Sequence, residues 1–391
     1  MRMNVPYVAL TNQWASERQD LLPIIEEVMS SGGFIGGDRV KKFEAKAARY
    51  CKREFAVALN SGTDALVCAL IAVGVRRGDE VITPSNSFVA STAAIVHIGA
   101  KPVFADVGED QLVSTEKIRN CITGKTKAIM PVHLTGRMCE MDEITNLAQK
   151  FNIPIIEDCA QSIGSKYNGV MSGSFGEVGC FSTHPLKNLN ACGDGGFIVT
   201  DNPSIYKFIT EMRNHGLIER NLVKKFGHVS RMDTLQAAIL DYRLDHLEDI
   251  ILERRKNAEI YRARLNNKFV FIPKDTEKHY STYHTFVIQV NFRDDLIEFL
   301  AENGVATAVH YGNPIHLQPA AKYLGYGLGS MPNTEEQSGK ILSLPINQFL
   351  TKVQVEYVAD LVNGFLEQKH AKPEINVGTI TVRPFRILSQ G

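Results

Sequence analysis

The segment CFSTHPLKNLNACGDGGFIVT places Lys187 in a tight loop between two apolar, strand-like runs. Most lysines are solvated surface residues. An amine held between buried strands loses hydration, its pKa falls, and the neutral form can act as a nucleophile. Ser182 ends the first run, and Gly193, Asp194, Gly195 and Gly196 return the chain to the second. In IPIIEDCAQSIG four apolar residues lead to Glu157 and Asp158 at the end of a strand. Strand carboxyl ends line the ligand crevice of a parallel α/β sheet, so an acid there is placed to meet a ligand; the plainer reading is a solvent-facing aspartate that caps a turn. In FAVALNSGTDALVCAL a strand runs through Asn60, Ser61, Gly62 and Thr63 into an apolar-periodic helix. Such a turn offers backbone N–H groups and a hydroxyl to a phosphate, or serves simply as a helix cap.

These residues need a scaffold that brings three distant turns together. From about residue 55 to 160, short β-branched runs (FAVAL, VITPS, KPVFADV, KAIMPVHL, IPIIEDCA) alternate with helical patterns, which predicts an α/β domain with a mainly parallel sheet. CFST and GGFIVT follow with almost no helix between them, so the sheet is expected to be mixed there. From Arg231 to Leu265 there is no glycine or proline, and apolar residues recur at three-to-four spacing, predicting one long amphipathic helix. Beyond it YHTFVIQV, VATAVHY and two further helical patterns read as a smaller mixed α/β unit, with a boundary near residue 250. The stretch GTITVRP in the tail from 371 to 391 reads as extended.

A chain of 391 residues, 44% hydrophobic and 22% charged, is globular and long enough for two domains. Lys plus Arg and Asp plus Glu both number 43, so there is no bulk pull toward nucleic acid or an anionic membrane. Seven scattered cysteines without a Cys-x-x-Cys pair read as reduced intracellular thiols, with no zinc ribbon, disulfide framework or other metal site. The N-terminus lacks a signal-length apolar run. The uncharged stretch Val81 to Ala100 is broken by Pro84, Ser85, Asn86, Ser87, Ser91 and Thr92, so it cannot span a membrane, and a cytoplasmic protein is expected.

A phosphate cradle, a strand-end acid and a loop lysine, in that chain order, are the parts that pyridoxal 5′-phosphate requires: N–H donors for its phosphate, an anion for its ring nitrogen and an amine for its aldehyde. A nicotinamide-binding dehydrogenase is disfavoured, because no Gly-x-Gly-x-x-Gly follows the first strand. SGTDAL, GDEVITP, IIEDCAQSIG, FSTHPLKNL and GDGGFIVT, with RNHG, SRMDTLQAAIL and HYGNPIHLQPA, resemble the DegT/DnrJ/EryC1/StrS family of aminotransferases, which act mostly on nucleotide-linked keto sugars. The resemblance runs from about Val5 to at least Gln354.

The fold it implies is aspartate-aminotransferase-like, of the first pyridoxal-phosphate type. Residues 1–250 would form a large domain with a seven-stranded, mainly parallel sheet, and residues 251–391 a smaller C-terminal α/β domain. By resemblance Lys187 is the Schiff-base lysine, Asp158 the partner of the ring nitrogen and Gln161 the side chain beside the phenolic oxygen. Gly62, Thr63 and Ser182 match phosphate ligands, and Phe88 matches the residue that stacks on the ring; its plainer reading is core packing. Arg231, His310 and Tyr311 fall in blocks similar to substrate-lining segments, although Arg231 also suits a structural position at a helix start. The family's dehydratase branch carries histidine in place of the lysine, so Lys187 favours amino transfer, with L-glutamate as donor. The resemblance also implies a homodimer with composite sites. Where the family often carries an asparagine that reaches the neighbouring subunit's cofactor phosphate, this chain has Val229, leaving His228 and Asn221 as substitutes. The alternatives are a transaminase of a small phosphorylated ketone or cyclitol, and a non-catalytic regulatory protein of the same fold.

Overall fold

The computed structural model describes residues 3–371. The tail with GTITVRP lies outside the described residues. Among the strands in the first part of the chain, seven line up beside one another: β1 (Phe55–Leu59), β2 (Glu80–Pro84), β3 (Lys101–Ala105), β4 (Thr126–Ile129), β5 (Ile156–Asp158), β6 (Val178–Ser182) and β7 (Gly196–Thr200). They pair as a four-stranded segment in the order β1-β7-β6-β5 and a three-stranded segment in the order β3-β2-β4. Parallel bridges Ile129–Ile155 and Val132–Asp158 join the two segments edge to edge. All neighbouring pairs are parallel except those of β7, which runs antiparallel to both β1 and β6. The expected departure from strict alternation is therefore β7, which follows β6 without a crossover helix.

The helices are α1 (Leu10–Ser31), α2 (Gly37–Tyr50), α3 (Gly62–Ala72), α4 (Val89–His97), α5 (Thr115–Cys121), α6 (Met141–Phe151), α7 (Pro203–Met212), α8 (Thr234–Asp245), α9 (Leu247–Arg264), α10 (Arg293–Glu302), α11 (Pro332–Ser338) and α12 (Lys352–Ala371). Successive strand residues point to opposite faces, and two cores result. Ala56 and Ala58 of β1 and Phe197 and Val199 of β7 pack with Phe43 of α2 and Leu240 of α8. Val57, Leu59 and Ile198 pack on the other face with Leu66 and Leu70 of α3 and Ile209 of α7.

The single helix expected from Arg231 to Leu265 is two. The chain breaks at His246, where φ −102° and ψ 1° leave the helical region. The break lets α8 lie along α2 and α1 while α9 turns to α12. No glycine or proline marks the spot, because tertiary packing sets the kink. Along α9, Leu247 and Ile251 belong to the core of the large sheet, and Ala258 and Tyr261 to a separate C-terminal core. That second core also takes Val5, whose backbone bridges Val305. It is built on β8 (Phe286–Val290) and β9 (Ile341–Leu344), an antiparallel pair, with α10 and α12. VATAVHY forms no strand and contributes two isolated bridges, Val305 to Val5 and Ala308 to Ser343. Among the described residues no helix is long and apolar enough to cross a membrane.

Candidate active site

The carboxyl ends of the parallel strands open onto a cavity of about 490 Å³, closed on its far side by the C-terminal unit. Gly62, Thr63, Phe88, Asp158, Gln161, Ser182 and Lys187, from four separate segments of the sequence, all line it, and so do His310 and Tyr311. Arg231 does not. It lines a neighbouring polar recess with Asn60, Asp64, Asp194 and Asp233, and donates to Asn214 Oδ1 at 3.0 Å.

The phosphate-like turn forms at the N-terminus of α3. Ser61 is a helix cap, accepting from the Asp64 N–H at 3.1 Å, so the plain reading of this turn is true alongside its place in the cavity wall. The turn presses onto the ends of β6 and β7. A Cβ on Gly62 would stand 2.6 Å from Ser182 Cβ, and one on Gly196 would stand 2.5 Å from Gly62 N. Both contacts forbid any side chain, which accounts for glycine at each position.

Asp158 ends β5 facing the cavity, while Glu157 faces the opposite side. Asp158 Oδ2 accepts from Ser91 Oγ at 2.7 Å and Oδ1 from the Ala160 N–H at 3.1 Å. Ser91 is itself oriented by Ser87 Oγ, at 3.2 Å. Burial nevertheless raises the Asp158 pKa, against the pull of Ser91, Ala160 and Lys187. A buried carboxyl with so few donors is suited to a cationic or N–H partner from the cavity. Gln161 is fixed as a donor: its Oε1 accepts from the Thr135 N–H at 2.7 Å, which turns Nε2 toward Tyr311 Oη at 3.1 Å. Phe88 is 56% exposed and tilted at 45° to Tyr311, with ring centroids 5.9 Å apart, so it is not core packing.

The Lys187 amine is lowered to about 8 by burial, with Asp158 pulling upward. Burial and the nearby Lys187 also lower His310, to about 4, and hold His284 well below its ordinary value. These two imidazoles are therefore uncharged near neutral pH beside the Lys187 amine. The fit to pyridoxal phosphate is therefore specific. A helix N-terminus with hydroxyls, a donor-poor buried acid, an oriented amide donor, an exposed aromatic ring and a depressed amine surround one cavity.

Sequence reasoning missed Ser91, His284 and Arg254, which also line this cavity. Ser91 lies among the hydroxyl residues that rule out a membrane span, a polar break in an apolar run that signals a site. Elsewhere His133, Glu157 and Cys159 approach closely enough to hold one ion. The carboxylate oxygens of Glu157 are already taken by His133 Nε2 and the N–H groups of Gly173, Phe175 and Gly176, at 2.7–3.0 Å, so this cluster is a satisfied structural network.

Comparison with known proteins agrees with the geometry. A family model described as the DegT/DnrJ/EryC1/StrS aminotransferase family matches residues 15–363. A protein of Geobacillus stearothermophilus named pleiotropic regulatory protein is 39% identical, covering 93% of this chain and 99% of its own. The dTDP-3-amino-3,6-dideoxy-alpha-D-galactopyranose transaminase of Aneurinibacillus thermoaerophilus is 37% identical over 92% of this chain and 99% of its own. The crystal structure of S. venezuelae DesV in complex with a ketimine intermediate superposes with a TM-score of 0.91, at 35% identity, covering 93% of this chain and 99% of that one.

Proposed function

Because this chain belongs to the DegT/DnrJ/EryC1/StrS aminotransferase family, we propose that it is a pyridoxal-phosphate-dependent enzyme that moves an amino group from L-glutamate to C3 or C4 of a nucleotide-linked keto sugar. The observation that carries this reading is the pairing, in one cavity, of an amine lowered to about 8 with a buried acid short of donors. When bound, the cofactor supplies an aldehyde that takes up an amine and a protonated ring that withdraws electrons. Asp158 holds the proton on the ring nitrogen. Gln161 Nε2 donates to the ring oxygen, the turn of Gly62 and Thr63 with Ser182 binds the phosphate, and Phe88 supports the ring face. Lys187, whose burial lowers it to about 8 and so eases loss of its proton, accepts the donor's α-proton at Nζ and returns it on the other side of the transfer.

The name of the Aneurinibacillus relative supports a 3-keto sugar. The name of the Geobacillus relative raises the alternative of a regulatory protein. Against it stands the depressed Lys187 amine beside the buried Asp158, a pair suited to proton transfer as well as to holding the cofactor. We place the site in a homodimer. Trp14, Leu22 and Met29 on α1, and Leu222, Val223 and Phe226 around the short antiparallel pair Leu217–Glu219 and Leu222–Val223, are exposed apolar residues suited to a second copy, Phe226 being 98% exposed. Of the substitutes for the missing asparagine, His228 lies 3.7 Å from Asp64 of its own chain, at the edge of the recess that holds Arg231. Seven free cysteines suit a reducing cytoplasm.

The test is a two-step half-reaction. L-Glutamate should convert the loaded protein to its amino form with release of 2-oxoglutarate, and a nucleotide-linked 3-keto sugar should then restore the starting form. Conversion without restoration by any nucleotide-linked 3- or 4-keto sugar would remove the sugar assignment. Failure of the first step would remove the transferase itself.

A further inference from the structure

Beside the Lys187 loop lies a set of buried polar side chains that make no part of the chemistry above, although two of them, Gln13 and Asn190, reach the wall of the same cavity. Arg243 of α8 holds Glu17 of α1 through Nε at 3.0 Å and Nη2 at 2.6 Å, both to Oε2. Glu17 Oε1 accepts from Gln13 Nε2 at 2.9 Å. Gln13 and Asn190, 177 residues apart, exchange two amide hydrogen bonds of 3.0 Å. Asn190 Nδ2 then donates to Pro185 O at 2.8 Å, and Arg243 Nη1 donates to Asn190 O at 2.7 Å. Gln13, Asn190 and Arg243 are all buried.

The polarity of this chain is determined at both ends. Arg243 can only donate, so Glu17 must accept on its side. Pro185 O can only accept, so Asn190 must present its amide nitrogen there and its oxygen to Gln13. Gln13 therefore has one orientation, with both amide hydrogens used. The two captured residues bracket the lysine: Pro185 precedes it by two positions and Asn190 follows by three. The loop neck is closed by Ala191 N to Thr183 O at 2.7 Å, and Lys187 N bonds His184 O at 2.8 Å.

We propose that Arg243–Glu17–Gln13–Asn190 is a positioning relay, anchored by an ion pair, that fixes the Lys187 loop and thereby the direction and dehydration of the Lys187 amine. It rests on the reading of Lys187 as the amine that receives the cofactor, and it makes α1 and α8 part of the apparatus that sets that amine.

Glu17→Gln discriminates this relay from simple loop packing. A glutamine cannot accept from both Arg243 and Gln13 while keeping its own hydrogens satisfied. One link must reverse, and the reversal propagates until Asn190 turns its oxygen toward Pro185 O. The loop then loosens and the amine rehydrates. The two effects on Lys187 have opposite signs, since losing an anion would lower the lysine pKa by charge alone, whereas rehydration raises it. The groups that face the amine (Asp158, His184, His284 and His310) are untouched.

The measurement is the pH midpoint for labelling of Lys187 by an amine-reactive reagent in the full-length protein before cofactor loading, quantified by peptide mass spectrometry with exposed Lys41 as internal control. The midpoint expected for wild type is about 8. Glu17→Gln, Asn190→Ala and Gln13→Met should each raise it by about one unit, a tenfold change in the neutral fraction at fixed pH. The double variant Glu17→Gln/Asn190→Ala should go no further than either single one. Should Glu17→Gln fail to fold, Gln13→Met tests the same link without a polarity conflict. An unchanged or lowered midpoint, or shifts that simply add in the double variant, would overturn the relay. Because this readout needs no turnover, its failure is distinct from failure of the transferase reading, which the half-reaction tests.

Discussion

Glu157 and Asp158 are adjacent on one short strand and both are buried, yet the two faces of β5 treat them differently. On the side away from the cavity, burial pushes the Glu157 carboxyl up, but His133 and the N–H groups of Gly173 and Gly176 outweigh it and the pKa ends below the ordinary range. On the cavity side Asp158 has Ser91 and Ala160 as donors, burial wins, and its pKa ends above. Chemical type and depth are nearly equal, so the count of donors decides which acid is structural and which is left with binding capacity. A carboxylate saturated by the protein holds the fold together. One left short has affinity to spend on a ligand.

The largest effect expected from this contrast is on turnover. Asp158→Asn should lower the half-reaction with glutamate by about 10²–10⁴-fold while leaving thermal stability within about 1 kcal/mol of wild type. Turnover close to wild type would reduce Asp158 to a turn-capping residue. Glu157→Gln should reverse the pattern. It strands backbone donors and a buried imidazole, so stability should fall by about 3 kcal/mol in chemical denaturation, with turnover per folded molecule within a few-fold of wild type. If Glu157→Gln abolishes activity without loss of stability, the two faces have been assigned the wrong way round.

Linkage sharpens the same comparison. The folded pKa of Glu157 is depressed, so its contribution is present above the ordinary carboxylate range and is lost as pH falls through the folded value. Acid unfolding of Glu157→Gln should accordingly show a shallower pH dependence than wild type. The smallest effect concerns Lys187. Its folded pKa is about 8, below the ordinary lysine value, so folding opposes protonation of this amine. Lys187→Met should stabilise the cofactor-free protein by about 1–2 kcal/mol at neutral pH. That gain should shrink as pH rises through 8 and vanish above the ordinary lysine range.

Lys187, Asp158 and the Ser61–Thr63 turn were readable from sequence because each is announced locally, by an apolar strand followed by small or glycine residues. The contacts that give them their properties were not. Ser91 meets Asp158 across 67 residues, Gln161 is oriented by the Thr135 backbone, and Gln13 meets Asn190 across 177. The sequence left Arg231 open between substrate lining and a structural place at a helix start; it stands just before α8, bonded to Asn214 of the Asn214–Val229 bridge, a placement that no local pattern encodes. Likewise the break at His246 follows from two helices having two different partners, while the residue composition there is continuous with a single helix.

Every role assigned to the cavity depends on Lys187 being the amine that meets the cofactor. Borohydride reduction of the protein loaded with pyridoxal 5′-phosphate, followed by proteolysis and peptide mass spectrometry, reads this directly. A pyridoxyl group is expected on the Lys187 peptide, reduced in Asp158→Asn only to the extent that loading is weaker and absent altogether from Lys187→Ala. A pyridoxyl group on a different lysine, or full loading with Lys187 unmodified, would contradict it.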